Sequence, residues 1–353
     1  LSNLFKNNLF IAFSITLIWV VLPVNIEVVA NIKSRDEILA LIFILSSISL
    51  ALKNNIYFNI CSGAALLFAM MCKESSIAFI VLIPLILYLK SYSKKHIYKT
   101  IAILGSSITI LFLIRYRVLD NYEVLEIKIN NNVFSFTGVE RWYYKLFLIL
   151  EYIRLYLFPT NLSWDYNYGY HEIKSYLLEA LFTLLLIFAS VYMFIITIKQ
   201  KSYYSLFIAW FYICLLVVSN TFYLIGTTMA DRLLFTPSIG ITVIIVMLLY
   251  NYLSKYDIKV FWLKLPSLLV LVFVVYYTFL SMNRVEDWKN DYTLIKSDYE
   301  NGNTNFKTII GLIKMTTNRI EKNKSTKLIE QGNKLSSDMV RLYPKFEDTY
   351  KYT

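Results

Sequence analysis

This chain is short of charge, histidine, cysteine, glycine and proline, and each shortage removes a class of protein. Of 353 residues only 17% are charged, against about 25% in soluble globular proteins. Two histidines, His96 and His171, and three cysteines, Cys61, Cys72 and Cys214, offer no metal-ligand spacing. The cysteines are odd in number and lie in or beside apolar runs, so they read as packing residues rather than a disulfide framework or zinc site. Nine glycines and six prolines rule out collagen-like and low-complexity chains. No Gly-rich phosphate loop or dinucleotide fingerprint occurs. Nor is there an initial methionine: the sequence opens at Leu1.

Apolar residues fill the space left by charge. They make up 57% of the chain and the mean hydropathy is +0.53, more than the core of one soluble domain can bury. An all-α integral membrane protein is expected. Runs of spanning length, about 17–25 residues when ends are generous, fall at 9–24, 36–52, 57–72, 75–90, 99–119, 177–198, 204–225, 231–252 and 262–282, which makes nine spans. With the N-terminus cytoplasmic, the inner connections hold eleven lysines: Lys6, Lys53, four across 90–99, Lys199, Lys201 and three across 255–264. Asp257 alone opposes them. The short outer connections hold Lys33, Arg35, Lys73 and Arg232 among five carboxylates. This bias follows the positive-inside rule, and it also accounts for the net charge of +11 without nucleic acid as a partner. It places the long 120–176 loop and the 283–353 tail outside, in the periplasm of a bacterial inner membrane or, less favoured, the endoplasmic reticulum lumen.

Within the long loop, 141–158 resembles a span. Trp142, Leu146, Ile149, Leu150, Ile153 and Leu157 share one helical face, however, while Arg141, Lys145, Glu151 and Arg154 lie elsewhere. That is the pattern of an outer-face juxtamembrane helix lying on its apolar side. The tail has helical periodicity through Ile309, Leu312, Ile313, Leu328, Leu335, Met339 and Leu342, for two or three helices outside the membrane. Two units follow: a membrane domain over 1–282 and a helical tail over 283–353.

Ionisable groups at a membrane edge are costly unless paired or solvated. Here they concentrate in three outer connections: Glu27 to Glu37, with Lys33, Arg35 and Asp36 between; Lys73 and Glu74; Asp231 and Arg232. One reading is local charge pairing and helix capping, with Asp36 and Glu37 favoured by a helix dipole. The other is a site in which cations hold a lipid-linked phosphate near carboxylates. Trp164, Tyr166 and Tyr168 around Asp165 line a groove on the second reading and form an interfacial belt on the first. His96 and His171 read as surface residues, and Arg115 and Arg117 as snorkelling span ends.

Six ordered motifs sharpen this. Residues 22–37 (LPVNIEVVANIKSRDE) resemble the HPVHTEAVANIKGRDE signature, 72–75 (CKES) the SKES/SKET signature, and 157–166 (LFPTNLSWDY) the pattern LFPxxLSxDYS. Residues 230–238 (ADRLLFTPS) resemble AERxLYLPS, Asn283-Arg284 with Asp287-Trp288-Lys289 matches the exit into an outer tail, and 342–346 (LYPKF) resembles IYPKY at a repeat boundary. The chain thus resembles the transmembrane, tetratricopeptide-repeat (TPR) O-mannosyltransferases and their bacterial relatives, over nearly its whole length.

The resemblance implies a GT-C glycosyltransferase that transfers a hexose, with inversion, from a polyprenyl-phosphate donor to a protein Ser or Thr hydroxyl. It implies that Arg35, Lys73 and Arg232 recognise the donor phosphate, that Glu27, Asp36, Glu74 and Asp231 orient those cations or contact the sugar, and that Trp164, Asp165 and Tyr166 line an acceptor or sugar groove. No further cofactor is implied, with a divalent metal left open. The tail implies protein contacts through a TPR-like array. In the family's order the chain starts just before the third span, which puts the expected catalytic base upstream of Leu1. Leu22 and Asn25 stand where the family has histidines, on the expected substrate face, and Asp231 replaces a glutamate. Those changes motivate an alternative, a non-catalytic polyprenyl-lipid transporter or scaffold with a protein-binding tail.

Overall fold

The computed structural model describes residues 9–118, 131–253, 259–260, 263–322 and 326–343. The Pro344-Lys345-Phe346 part of the last motif and the 255–258 connection lie outside them. Among the described residues the regular structure is helical, apart from a short ribbon pairing Lys259–Val260 (β1) with Leu263–Lys264 (β2). Every apolar run read from the sequence is a helix: α1 (Leu9–Val20), α3 (Arg35–Ala51), α4 (Ile56–Cys72), α5 (Phe79–Leu89), α6 (Lys94–Val118), α8 (Leu177–Lys199), α9 (Tyr203–Val218), α10 (Phe235–Leu253) and α11 (Leu265–Asp287). Between them lie α2 (Ile26–Ala30) and α7 (Gly138–Leu157); α12 (Asp291–Glu300), α13 (Phe306–Lys322) and α14 (Thr326–Leu342) complete the chain.

Among the described residues four helices are long and apolar enough to cross a membrane: α6, α8, α10 with the turn before it, and α11 from Ser267 on. A pair bent by 60°, Leu9–Val20 with Pro23–Ala30, counts as a fifth if it is one span. The segments Ile56–Cys72, Glu74–Leu89 and Tyr203–Val218 are apolar but shorter. Side-chain caps set several helix starts. Asn55 accepts from Tyr57 N, Ser202 from Tyr204 N, and Asn290 forms a reciprocal capping box with Thr293.

Small and hydroxylated residues bring the helices together, as they do in a bilayer, where apolar burial between helices gives no drive. Ser47 and Ser62 each donate to the other's carbonyl at 2.8 Å, and Tyr156 and Thr242 share a hydrogen bond of 2.8 Å. Gly240 sets the α9–α10 spacing: a Cβ there would lie 2.7 Å from both Phe207 O and Phe211 N. Because those neighbours are backbone atoms, Gly240→Ala must push the helices apart. We expect it to cost about 1–3 kcal/mol, read as a lower thermal-unfolding midpoint in detergent. Gly63→Ala meets a side-chain atom first, the Ile103 Cγ2 methyl at 2.6 Å, and serves as the comparison. Equal midpoints for the two variants would remove the distinction.

The structure adds to one expectation and changes three others. The juxtamembrane segment is helical, but α7 buries a tyrosine face, with Tyr144, Leu148, Tyr152 and Leu155 enclosed. Trp142 and Leu157, on the face expected to lie apolar-side-down, stay exposed, while Ile149 of that face is buried. The tyrosine hydroxyls explain this, since Tyr144 reaches Asn132 and Tyr156 reaches Thr242 inside the protein. His96 is buried rather than superficial, its Nε2 2.9 Å from Ala51 O and its Nδ1 3.4 Å from Asn59 Nδ2, tying α6 to α3 and α4. Of the three free cysteines Cys214 is buried, whereas Cys61 is exposed rather than packed. Finally, α11 runs on to Asp287, so the boundary at 282 falls inside a helix.

The tail has its own apolar core of Ile295, Phe306, Ile309, Leu312, Ile313, Leu335, Met339 and Tyr343, against which Trp164 and Tyr168 pack. Gly169, at φ +90°, leaves room for the Tyr343 ring.

Candidate functional site

The connections after α1, α4 and α9 converge at one end of the bundle, and their charges pair across connections rather than within them. Glu27, buried, accepts from the Arg232 backbone N at 3.0 Å and from its guanidinium Nη1. The Lys73 ammonium lies 3.0 Å from Asp36 and 3.1 Å from Glu37, both in the first turn of α3. Burial pulls the Lys73 ammonium down, but Glu37 and Asp36 outweigh it and raise its pKa, so it stays charged.

Around these pairs opens a cleft of 820 Å³. Glu27, Asn31, Ile32, Lys33, Asp36, Lys73 and Arg232 line the bundle side, with Trp164 and Asp165 from the 161–168 loop. The tail closes it with Trp288, Asp291, Leu294, Ile295, Lys307 and Met315. Asp165 receives the Lys307 ammonium at 3.0 Å and Asn167 Nδ2 at 3.0 Å on Oδ2, while its buried Oδ1 has no protein partner. Burial raises its pKa, partly offset by Lys307 and Arg232. The lining thus carries four cations and four carboxylates, with Lys73, Arg232 and Lys307 each beside a carboxylate.

Not every expected residue reaches it. Arg35 is exposed beside the cleft. Glu74 points away and pairs with Arg115, which therefore does not simply snorkel. Asp231 and Tyr166 are buried behind the wall, the Tyr166 hydroxyl donating to Asp231 at 2.6 Å. Tyr168 packs on the tail core. Leu22 and Asn25 do not face the cleft either: Leu22 is fully buried, and the Asn25 amide donates to Trp19 O at 2.7 Å. Those departures from the signature alter packing, not the lining. Lys307, Trp288 and Asp291 were not among the expected lining residues: Trp288 entered only through the motif at the exit into the tail, and charges in a polar tail carry no mark of their own in sequence. Among the described residues no three His, Cys, Asp or Glu side chains are grouped to hold a metal.

The tail is fixed to this end by Asp298. Its Oδ1 is 3.0 Å from Arg284 Nη1, and its Oδ2 accepts from Ser163 Oγ at 2.7 Å and Trp164 N at 2.8 Å. Burial raises the Asp298 pKa against the opposing pull of Arg284.

His171, expected at the surface, is half-buried, with Nδ1 2.9 Å from the Tyr144 hydroxyl and Nε2 shielded from solvent. Desolvation, helped by Arg154 and Lys174, pushes its pKa down to about 3. A depressed histidine stays neutral in the folded state while the unfolded chain takes up a proton near pH 6.5. Its stabilising contribution is thus complete above about 6.5 and falls as pH drops toward 3. Between those values the wild type should lose unfolding temperature more steeply than His171→Phe. Parallel melting curves against pH would show that the ring titrates normally.

No family model matches the chain, and no solved structure shows significant similarity to it. Among curated proteins it is similar to a protein O-mannosyl-transferase of Caenorhabditis elegans, 26% identical over 293 residues. That match takes in 81% of this chain but 40% of the relative, so the chain spans well under half the relative's length. Together with the apolar helices, the likeness suggests a membrane protein of glycosyltransferase type.

Proposed function

We propose that this chain carries the substrate cleft of a GT-C type glycosyltransferase that moves a hexose, such as mannose, from polyprenyl phosphate to a protein Ser or Thr hydroxyl. The observation that carries the reading is the cleft itself: three charged connections far apart in sequence meet the tail around one 820 Å³ space. In the inverting reaction the acceptor oxygen bonds to the anomeric carbon, the bond from that carbon to the phosphate oxygen breaks, and the phosphate leaves with the electron pair. A carboxylate base takes the acceptor proton. Arg232, Lys73 and Lys307 stabilise the departing phosphate. Glu27, Asp36 and Asp165 are each held by one of those cations, which suits them to orient it rather than to take the proton. Trp164 and the tail wall receive sugar and acceptor. The chain would cross the membrane nine times in this reading, with the N-terminus cytoplasmic and the cleft and TPR-like tail outside a bacterial inner membrane, the tail touching the acceptor protein.

The test is transfer from a polyprenyl-phosphate hexose to Ser/Thr peptides by membranes holding the full-length protein. Arg232→Ala and Lys73→Ala are each expected to slow it about 10²-fold or more, the scale of losing a charge-stabilising donor. Undiminished transfer by both variants would remove the site assignment. Movement of labelled lipid across vesicles without an acceptor would instead support a transporter.

A further inference from the structure

Two cations at the cleft mouth are left over by the pairing just described. Lys33 lines the cleft and is exposed; Arg35, two residues on, is exposed as the first residue of α3. Neither makes an ion pair among the described residues. Beside them, next to the polar Asn31, Ser34 and Asp36, lie exposed apolar side chains. Ile32, between the cleft and solvent, is 76% exposed. Leu39 and Ile42, 50% and 53% exposed, follow Arg35 at i+4 and i+7 and so share its face of the helix. The face thus runs from an apolar stripe on an apolar helix, past an unpaired guanidinium, over an exposed isoleucine and a lysine, into the cleft.

An apolar stripe ending in unpaired cations at a membrane edge matches a lipid whose chain lies in the bilayer and whose phosphate lies at the surface. We infer that this face of α3 is a lateral entry track for a polyprenyl phosphate, with the chain on Leu39 and Ile42, and Arg35 and Lys33 passing the phosphate over Ile32 into the cleft. The inference rests on the reading of the cleft as a lipid-linked donor site and adds the route and the residues that make first contact. The cations then fall into two groups. Lys73 and Arg232 are immobilised by carboxylates, whereas Arg35 and Lys33 are free to follow the phosphate. Ordinary anionic phospholipid shares the headgroup chemistry but has no reason to leave the surface for the cleft.

The experiment uses full-length protein in nanodiscs and a sugar-free polyprenyl phosphate bearing a diazirine near the phosphate, with adducts mapped by mass spectrometry. Adducts are expected within residues 32–42, competed away by unlabelled polyprenyl phosphate and not by phosphatidylglycerol. The double variant Lys33→Gln with Arg35→Gln should lower labelling about tenfold, the scale of losing charge-assisted hydrogen bonds. In transfer assays it should raise KM for the donor by a similar factor with little change in kcat. Because charge removal could perturb α3, Lys33→Arg with Arg35→Lys must restore labelling. Adducts confined to other helices, or equal competition by phosphatidylglycerol, would overturn the track. Labelling at 32–42 in a wild type that transfers no sugar would keep the track and sink the transferase reading.

Discussion

Glu27→Ala is expected to destabilise the membrane domain by about 3–5 kcal/mol, the cost of breaking a buried ion pair by removing one partner, and to abolish sugar transfer with it. The Glu27 side chain is 1% exposed and holds both the backbone and the guanidinium of Arg232. Without it, a half-buried cation and an amide at the start of the turn before α10 lose their acceptor. Glu27→Gln separates the two consequences. The amide keeps an oxygen for the Arg232 backbone but removes the charge, so the fold should recover more than the activity does. Thermal unfolding in detergent, measured beside transfer from a polyprenyl-phosphate hexose, distinguishes them. An alanine variant that melts with the wild type would show that the pair contributes little to either.

The second large effect is expected at Asp298. Its side chain is fully buried, and Arg284, 7% exposed, faces it from the end of α11. One carboxylate therefore joins a membrane helix, the first tail helix and the 161–168 loop. Asp298→Ala removes three hydrogen bonds and leaves a buried guanidinium with Asp287, at 3.1 Å, and the field of Asp231 to answer its charge. A loss of about 3–5 kcal/mol is expected, concentrated at the tail junction rather than spread through the bundle. Limited proteolysis should then cut between 288 and 306 faster than in the wild type. Asp298→Asn, which can still accept from Ser163 and Trp164, should fall between the two. Identical digestion of all three proteins would mean that the apolar tail core alone holds the tail in place.

Run length and charge scarcity made the helices and the candidate residues legible, because a bilayer tolerates few sequences. The nine apolar runs are all helical, and the charges singled out because they were few include Glu27, Asp36, Lys73 and Arg232 in one cleft. The pairing was not legible. Each connection contains both signs, so sequence favours local pairs, while the fold joins Glu27 to Arg232 and Lys73 to Asp36. The buried face of α7 was not legible because tyrosine counts weakly in an apolar pattern yet packs well when its hydroxyl finds a partner, as at Tyr144 and Tyr156. The tail's contribution was hidden for a related reason. Lys307 resembles any surface lysine until Asp165 is placed beside it.

The pairing of Glu27 with Arg232 also sets an order of events during synthesis. The two residues are 205 positions apart, which at ribosomal speeds of about 5–20 residues per second means roughly 10–40 s between their emergence. Throughout that interval the carboxylate is without its cation. Glu27 therefore emerges long before its cation, and the cleft closes only once the turn before α10 has been made.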